Sequence, residues 1–133
     1  MIAFGFAQTN YFKEGEQYAL KGLELNPYDG WSTHALCHIT EYKNDYKFGI
    51  DFLNKTEHEW NVCFYIAPHN YWHLCLYHIE SNQIDAALQI YDEIIFKRYV
   101  EESSLLTMVD AASFLFRLKL NGIDKSLLKE RWS

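Results

Sequence analysis

The chain has 133 residues, enough for one domain, and 49% of them are hydrophobic, which excludes an intrinsically disordered protein. The net charge of −6 and the lack of a cluster of Lys and Arg argue against a protein that binds nucleic acid through its phosphates. Only two Pro and six Gly occur, which favours long helices over a turn-rich β fold.

The cellular compartment follows from similar observations. The three cysteines have no CxxC or related spacing, which indicates reduced thiols rather than a disulfide framework. No apolar run is long enough to cross a membrane, and "MIAFGFAQTN" lacks the charged segment and cleavage site of a secretory signal peptide. We therefore expect a cytoplasmic protein that binds neither nucleic acid nor membrane.

Amphipathic segments separated by short polar turns predict four pairs of helices. In chain order the pairs cover about 2–10 and 13–25, 31–43 and 45–55, 69–81 and 84–97, and 104–120 and 124–131. The longest irregular stretch is predicted at about 56–68, between the second and third pairs.

Four six-residue strings mark the turn inside each pair. Each begins with Asn, has an apolar third residue and ends with a small one: "NYFKEG" from Asn10, "NDYKFG" from Asn44, "NQIDAA" from Asn82 and "NGIDKS" from Asn121. The Asn residues are 34, 38 and 39 positions apart. Asn tolerates the left-handed conformation that ends a helix, and a small residue lets two helices approach closely. This period predicts hairpins that stack to bury their apolar faces.

Two segments resemble tetratricopeptide repeats. "YFKEGEQYALKGLELNP" resembles the second helix of a repeat, with small residues at Gly15, Ala19 and Gly22 and a closing Pro27, and "NYWHLCLYHIESNQIDAALQIYDE" resembles a whole repeat. The resemblance implies an all-α, right-handed superhelix of about four stacked helix–turn–helix hairpins. It forms one domain, 1–133, with repeats at about 1–27, 28–67, 68–102 and 103–133.

The first of these repeats is short at its amino end. We therefore expect the chain to be a fragment of a longer array, and its open repeat ends to permit self-association.

Three further elements are similar to the tetratricopeptide repeat protein 38 family. That family carries W-[ST]-x-H-x3-H, H-N-x-W-H and V-D-x2-S-x-L-x-R-L elements in this order, and the chain has "WSTHALCH", "HNYWH" and "VDAASFLFRL". The family has no firmly assigned catalytic activity. The resemblance therefore implies a fold, and the function has to be inferred from the residues of this chain.

Two of these elements contain histidines one helical turn apart. On a helix, each pair shares a face with a carboxylate, the first comprising Trp31, His34, His38 and Glu41 and the second His69, His73, Leu76 and Glu80. The first helix of every tetratricopeptide repeat lines the concave groove. The resemblance therefore implies that the two histidine faces are adjacent there.

Three interpretations of the histidines are open. They can tie neighbouring helices together through hydrogen bonds to Glu41 or to backbone carbonyls. With Trp31 and Trp72 they can line a groove for a peptide or a small anionic ligand. Alternatively, His34, His38 and His69 with a carboxylate can hold zinc or another divalent ion.

The sequence gives limited support for catalysis. Ala35 follows His34, so the HExxH motif of zinc proteases is not present. Glu41 is a candidate base, and Asp110 in "VDAAS" is a candidate further carboxylate. The sequence does not settle which side of its helix Asp110 faces. The bulky Phe114 occupies the position where the second repeat has the small Cys37, so the fourth repeat need not pack in the same way.

We interpret the three cysteines and His78 as residues outside the predicted site. Cys37 and Cys75 occupy equivalent positions, seven residues before Asn44 and Asn82, and we expect both to be core thiols. Cys63 lies in the irregular connection, where an exposed thiol is expected. His78 lies off the histidine face and is expected to pack or to face solvent.

We therefore expect a binding scaffold without catalytic residues or a cofactor, which presents a concave groove to a peptide, a protein or a small-molecule ligand. The predicted groove residues are Trp31, His34, His38, Glu41, His69, Trp72, His73 and Asp110. The alternative is a metal-binding module or metal-dependent enzyme, with zinc as cofactor and His34, His38 and His69 as ligands.

Overall fold

The computed structural model describes residues 2–132, and all regular structure in that range is helical. The elements are α1 Ile2–Ala7, α2 Phe12–Leu25, α3 Gly30–Lys43, α4 Tyr46–Trp60, α5 Ala67–Glu80, α6 Ile84–Ile90, a π-helical segment Tyr91–Ile95, α7 Phe96–Glu102, α8 Leu105–Leu120 and α9 Lys125–Lys129. Within this range no helix is both long enough and apolar enough to span a membrane. The predicted all-α class is confirmed.

The connection predicted at 56–68 is shorter than expected, because α4 continues to Trp60 and α5 begins at Ala67. Trp60 explains the longer helix. Its ring is buried, its indole Nε1 donates to the Leu53 carbonyl at 3.1 Å, and its centroid lies 4.6 Å from that of Tyr71. This anchor holds the last turn of α4, whose other residues are mostly polar.

The second helix of the third pair also differs from the prediction. It was expected to end near residue 97, but helical structure continues without a break through the π-helical segment to Glu102. Within the segment Tyr91 and Ile95 are both buried, and the Tyr91 ring stacks on Phe114 at 5.0 Å. The packing of these side chains against α8 holds the wider turn in place.

In two of the four Asn strings, the Asn takes the left-handed conformation that the sequence predicts at a helix end. Asn44 and Asn82 have φ angles of 54° and 56°, in the left-handed region. In the fourth string Gly122 takes that conformation instead, with a φ of 77°. A glycine there bears no Cβ to oppose the positive angle.

The small residue at the end of the second string permits a close helix contact. A Cβ on Gly49 would lie 2.6 Å from Cε2 of Tyr77 and 2.8 Å from Cγ2 of Thr40. α4 therefore lies against both α3 and α5 at a distance that only glycine allows.

The helices that carry the histidines lie in the middle of the described chain. α1 contacts α3, α3 contacts α5, and α5 contacts α8, while α2 and α4 pack between them. Most residues of α3 and α5 are buried. The two histidine pairs therefore face each other inside the molecule rather than across open solvent.

Replacing Gly49 with Ala should lower the free energy of unfolding by about 1–3 kcal/mol, because the new methyl group must displace the Tyr77 ring or the Thr40 methyl. Urea unfolding measures the change. Gly5→Ala is the matched control, since a Cβ at Gly5 in α1 has nothing within 4 Å. The control should be neutral or up to about 1 kcal/mol more stable, because Ala favours a helix. An equal loss in both variants would contradict the close contact.

Candidate metal centre

Two local features fix the beginnings of α3 and α5: a cap on α3 and a hydrogen bond between the two helices. The Asp29 carboxylate caps α3 by accepting from the backbone N–H groups of Trp31 at 3.1 Å and Ser32 at 3.3 Å. Asn70 on α5 is fully buried, and its Nδ2 donates to the Gly30 carbonyl at 3.3 Å. This hydrogen bond joins the first turns of the two helices, so the histidines that follow on each helix are adjacent.

Four histidines form one group: His34 and His38 on α3, and His69 and His73 on α5. One potential ligand atom from each residue lies within 4.8 Å of those of the other three. The Nε2 atoms of His34 and His38 are 3.0 Å apart. Nitrogen ligands of a tetrahedral zinc ion lie about 3.3 Å from one another, given Zn–N bonds of about 2.0–2.1 Å. Small side-chain shifts would therefore give a coordination sphere.

Two carboxylates hold the imidazoles of α5. Glu41 Oε1 lies 2.6 Å from His73 Nδ1, and both Asp110 oxygens lie 3.0 Å from His69 Nδ1. When these carboxylates are ionised, each Nδ1–H donates to its carboxylate and the lone pair is on Nε2. Carboxylate partners of this kind orient metal-binding histidines and increase their basicity.

Two ring nitrogens in the group are buried without a hydrogen-bond partner among residues 2–132: His34 Nδ1 and His73 Nε2. A buried polar atom left in this state costs about 1–3 kcal/mol. Because the Nδ1–H of His73 donates to Glu41, the Nε2 atom of His73 carries a lone pair that accepts no hydrogen bond. A metal ion in the middle of the group would accept that pair.

Three of the four histidines, His34, His38 and His73, have lowered pKa values, which favour the uncharged form that binds metals. Burial, and then the charges of His73, His38 and His69, lower the pKa of His34 to about 2. Burial also lowers the pKa of His73 well below its ordinary value, followed by repulsion from His69 and His38. The pKa of His38 is lowered by burial, although Glu41 opposes the shift.

Burial raises the pKa of Glu41, although the neighbouring His38 and the Arg117 guanidinium oppose this shift. Glu41 also lies 3.9 Å from His38 Nδ1 through its second oxygen, Oε2. One carboxylate therefore reaches histidines of both helices.

Aromatic rings enclose the group. The Trp72 ring stacks on His69 at 5.1 Å, and the Phe4 ring stacks on His34 at 5.0 Å. Trp31 meets His34 edge-on at 5.9 Å, although its side chain is largely exposed. These rings restrict rotation of the imidazoles they cover.

The structure brings the eight predicted groove residues into one region: Trp31, His34, His38, Glu41, His69, Trp72, His73 and Asp110. Sequence reasoning put three of the histidines forward as metal ligands and left His73 out, although its spacing from His69 matches that of the other pair. It also missed Arg117. This residue lies two helical turns after Asp110 in α8, and that spacing was a usable signal.

The cysteines and His78 lie outside this group. Cys37 and Cys75 are buried, burial raises the pKa of both thiols, and the prediction of core thiols is confirmed. The thiol of Cys63 is half-buried and donates to the Tyr28 carbonyl at 3.0 Å. His78 is buried and its Nδ1 lies 2.6 Å from Gln83 Oε1, so it is a packing residue.

No protein-family model matches this chain, and no solved structure matches it significantly. The interpretation of the four histidines therefore depends on their own geometry and chemistry.

The metal-free protein should lose stability below about pH 6.5. In the unfolded state the histidines take up protons near their ordinary pKa, whereas folded His34, His38 and His73, with lowered pKa values, do not. Stability is therefore complete above the unfolded pKa. It falls at lower pH by up to about 1.4 kcal/mol per pH unit for each of these histidines.

Urea unfolding in the presence of a chelator, repeated between about pH 5 and 7, measures this slope. His34→Gln should reduce the slope by about one histidine's share. His58→Gln, at an exposed position of α4, should leave the slope unchanged. A slope that is the same in all three proteins would contradict uncharged burial of His34.

Proposed function

We propose that this chain is a metal-binding helical protein whose four histidines hold one divalent transition-metal ion, with zinc as the first choice. Imidazole ligands suit zinc, copper, iron and nickel. The observation that carries the proposal is the pairing of His69 and His73 with Asp110 and Glu41, which leaves both Nε2 lone pairs available beside His34 and His38.

A purely structural role explains the group less well. Four uncharged imidazoles have four N–H donors and four lone pairs. Two of the N–H groups donate to carboxylates, and one donates across the contact between His34 and His38. Only one of the four lone pairs therefore receives a hydrogen bond from another histidine. Burial makes this imbalance costly, and a bound cation removes it by accepting the lone pairs.

We also propose that the helices form a tetratricopeptide-like right-handed superhelix of the tetratricopeptide repeat protein 38 family. The succession of contacts from α1 to α3, α5 and α8, and the left-handed Asn44 and Asn82, support this arrangement. The three unpaired thiols agree with a cytoplasmic location. In this proposal the concave groove expected from the sequence has the metal ion at its base.

Zinc should bind at one ion per chain and raise the melting temperature of protein purified without a His-tag and stripped with a chelator. Free zinc at 100 times its Kd adds about 2.7 kcal/mol, a rise of roughly 5–10 °C for a domain of this size. Calorimetry and metal analysis measure both quantities. The His34→Gln/His38→Gln double variant should lose both effects.

The control for the double variant is His58→Gln, which removes an exposed histidine of α4 and should bind zinc like the natural chain. If neither zinc, cobalt nor nickel raises the melting temperature of the natural chain, the metal proposal is wrong.

Asp110→Asn should weaken zinc about 10- to 100-fold without changing the number of ions bound, because His69 loses its charged hydrogen-bond acceptor. Glu41→Gln should act similarly through His73. Competition with a chromophoric chelator measures the affinities. Asp51→Asn, at an exposed position of α4, is the control. Equal affinities for Asp110→Asn and Asp51→Asn would contradict the supporting role of Asp110.

A further inference from the structure

We propose that the groove beside the four histidines binds a small organic carboxylate with an apolar group, whose carboxylate lies between the metal ion and Arg117. This inference rests on the metal site proposed above. Three features of the groove carry it: a cavity bordered by His38, a cation without an acidic partner, and a charge balance that the metal reverses.

The cavity has a volume of about 380 Å³, within the range of roughly 300–1,000 Å³ that is usual for small-ligand sites. His38 and Glu41 form its border with the histidine group. Leu76 and Ile79 supply apolar wall on the α5 side. A ligand in this cavity therefore contacts apolar surface as well as His38, one of the four proposed metal ligands.

Arg117 also lines the cavity. Its guanidinium lies 5.4 Å from the centroid of the Trp72 ring, where the ring stabilises the cation. The same Trp72 ring stacks on His69, and His38 lines the cavity with Arg117, which places the guanidinium near the histidine group. No acidic group of the described chain, 2–132, lies within 4 Å of it. The planar guanidinium is available for two parallel hydrogen bonds to a carboxylate.

Trp72 lines the same wall, and its indole donor lies beneath the cavity surface. Its Nε1 is buried and has no hydrogen-bond partner within residues 2–132. The Trp72 ring therefore supplies cavity wall and supports the Arg117 cation, while its Nε1 does not face a ligand.

The charge of the cavity depends on the metal. Without an ion, the carboxylates of Glu41 and Glu80 outnumber the one cation, Arg117, and oppose an anion. A divalent ion adds two positive charges and reverses the balance. A carboxylate oxygen would join the four histidine nitrogens as a fifth ligand, an expansion that zinc sites allow. Carboxylate binding should therefore require the bound metal.

The test uses protein loaded with Co²⁺, whose visible absorption reports its coordination, and phenylacetate as the probe. Phenylacetate should change the spectrum saturably, with a Kd of about 1 mM or below. The neutral phenylacetamide, matched in shape, should not change it. Metal-free protein should not bind phenylacetate, as followed by equilibrium dialysis.

Variants of Arg117 identify the cation. Arg117→Gln should weaken phenylacetate about tenfold or more while Co²⁺ still binds at one ion per chain. Arg117→Lys should lie between this variant and the natural chain, because it keeps the charge and loses the paired donors. Glu80→Gln should bind phenylacetate at least as tightly as the natural chain, because a negative charge leaves the groove.

The outcomes separate the two proposals. If the natural chain does not bind Co²⁺, the metal site itself is wrong. If Co²⁺ binds at one ion per chain but phenylacetate leaves the spectrum unchanged, only the carboxylate proposal is overturned. It is also overturned if Arg117→Gln binds phenylacetate as well as the natural chain does, or if metal-free protein binds it equally.

Discussion

The parallel alignment of α3 and α5 is the constraint on which the rest of the structure depends. Two buried hydrogen bonds set it: Asn70 Nδ2 to the Gly30 carbonyl, and Tyr77 Oη to the Cys37 carbonyl at 2.9 Å. Both join residues 40 positions apart, so the two helices run in the same direction without a slip in register. His34 and His73 lie between these two bonds, and His38 and His69 lie one residue outside them, so the two histidine pairs are held side by side.

This alignment buries His34 and His73 and leaves His38 and His69 partly exposed at the edge of the group. Histidine usually has a pKa near neutrality, and burial of several in contact is tolerated only while they stay neutral. The acidic partners come from different helices, Glu41 from α3 and Asp110 from α8. The site is therefore assembled by the packing of three helices and not by one motif.

The sequence was sufficient for the parts of this arrangement that depend on periodicity. Helix pairs, the Asn44 and Asn82 turns and the shared faces of the histidines follow from residue spacing. The extent of α4 did not follow, because it depends on burial of Trp60 by a helix that comes later in the chain. The partners of the histidines depend on lateral helix packing as well. His73 meets Glu41 from 32 positions away, and Asp110 meets His69 from 41.

The bond between Asp110 and His69 has a consequence for cooperativity. Proteins open locally in cooperative units, and elements with few buried contacts open most easily. The polar chain from Glu41 through His73 and from His69 to Asp110 links helices of three successive hairpins. Separating α8 from α5 would break the contact between Asp110 and His69, so local opening of α8 has an added energetic cost.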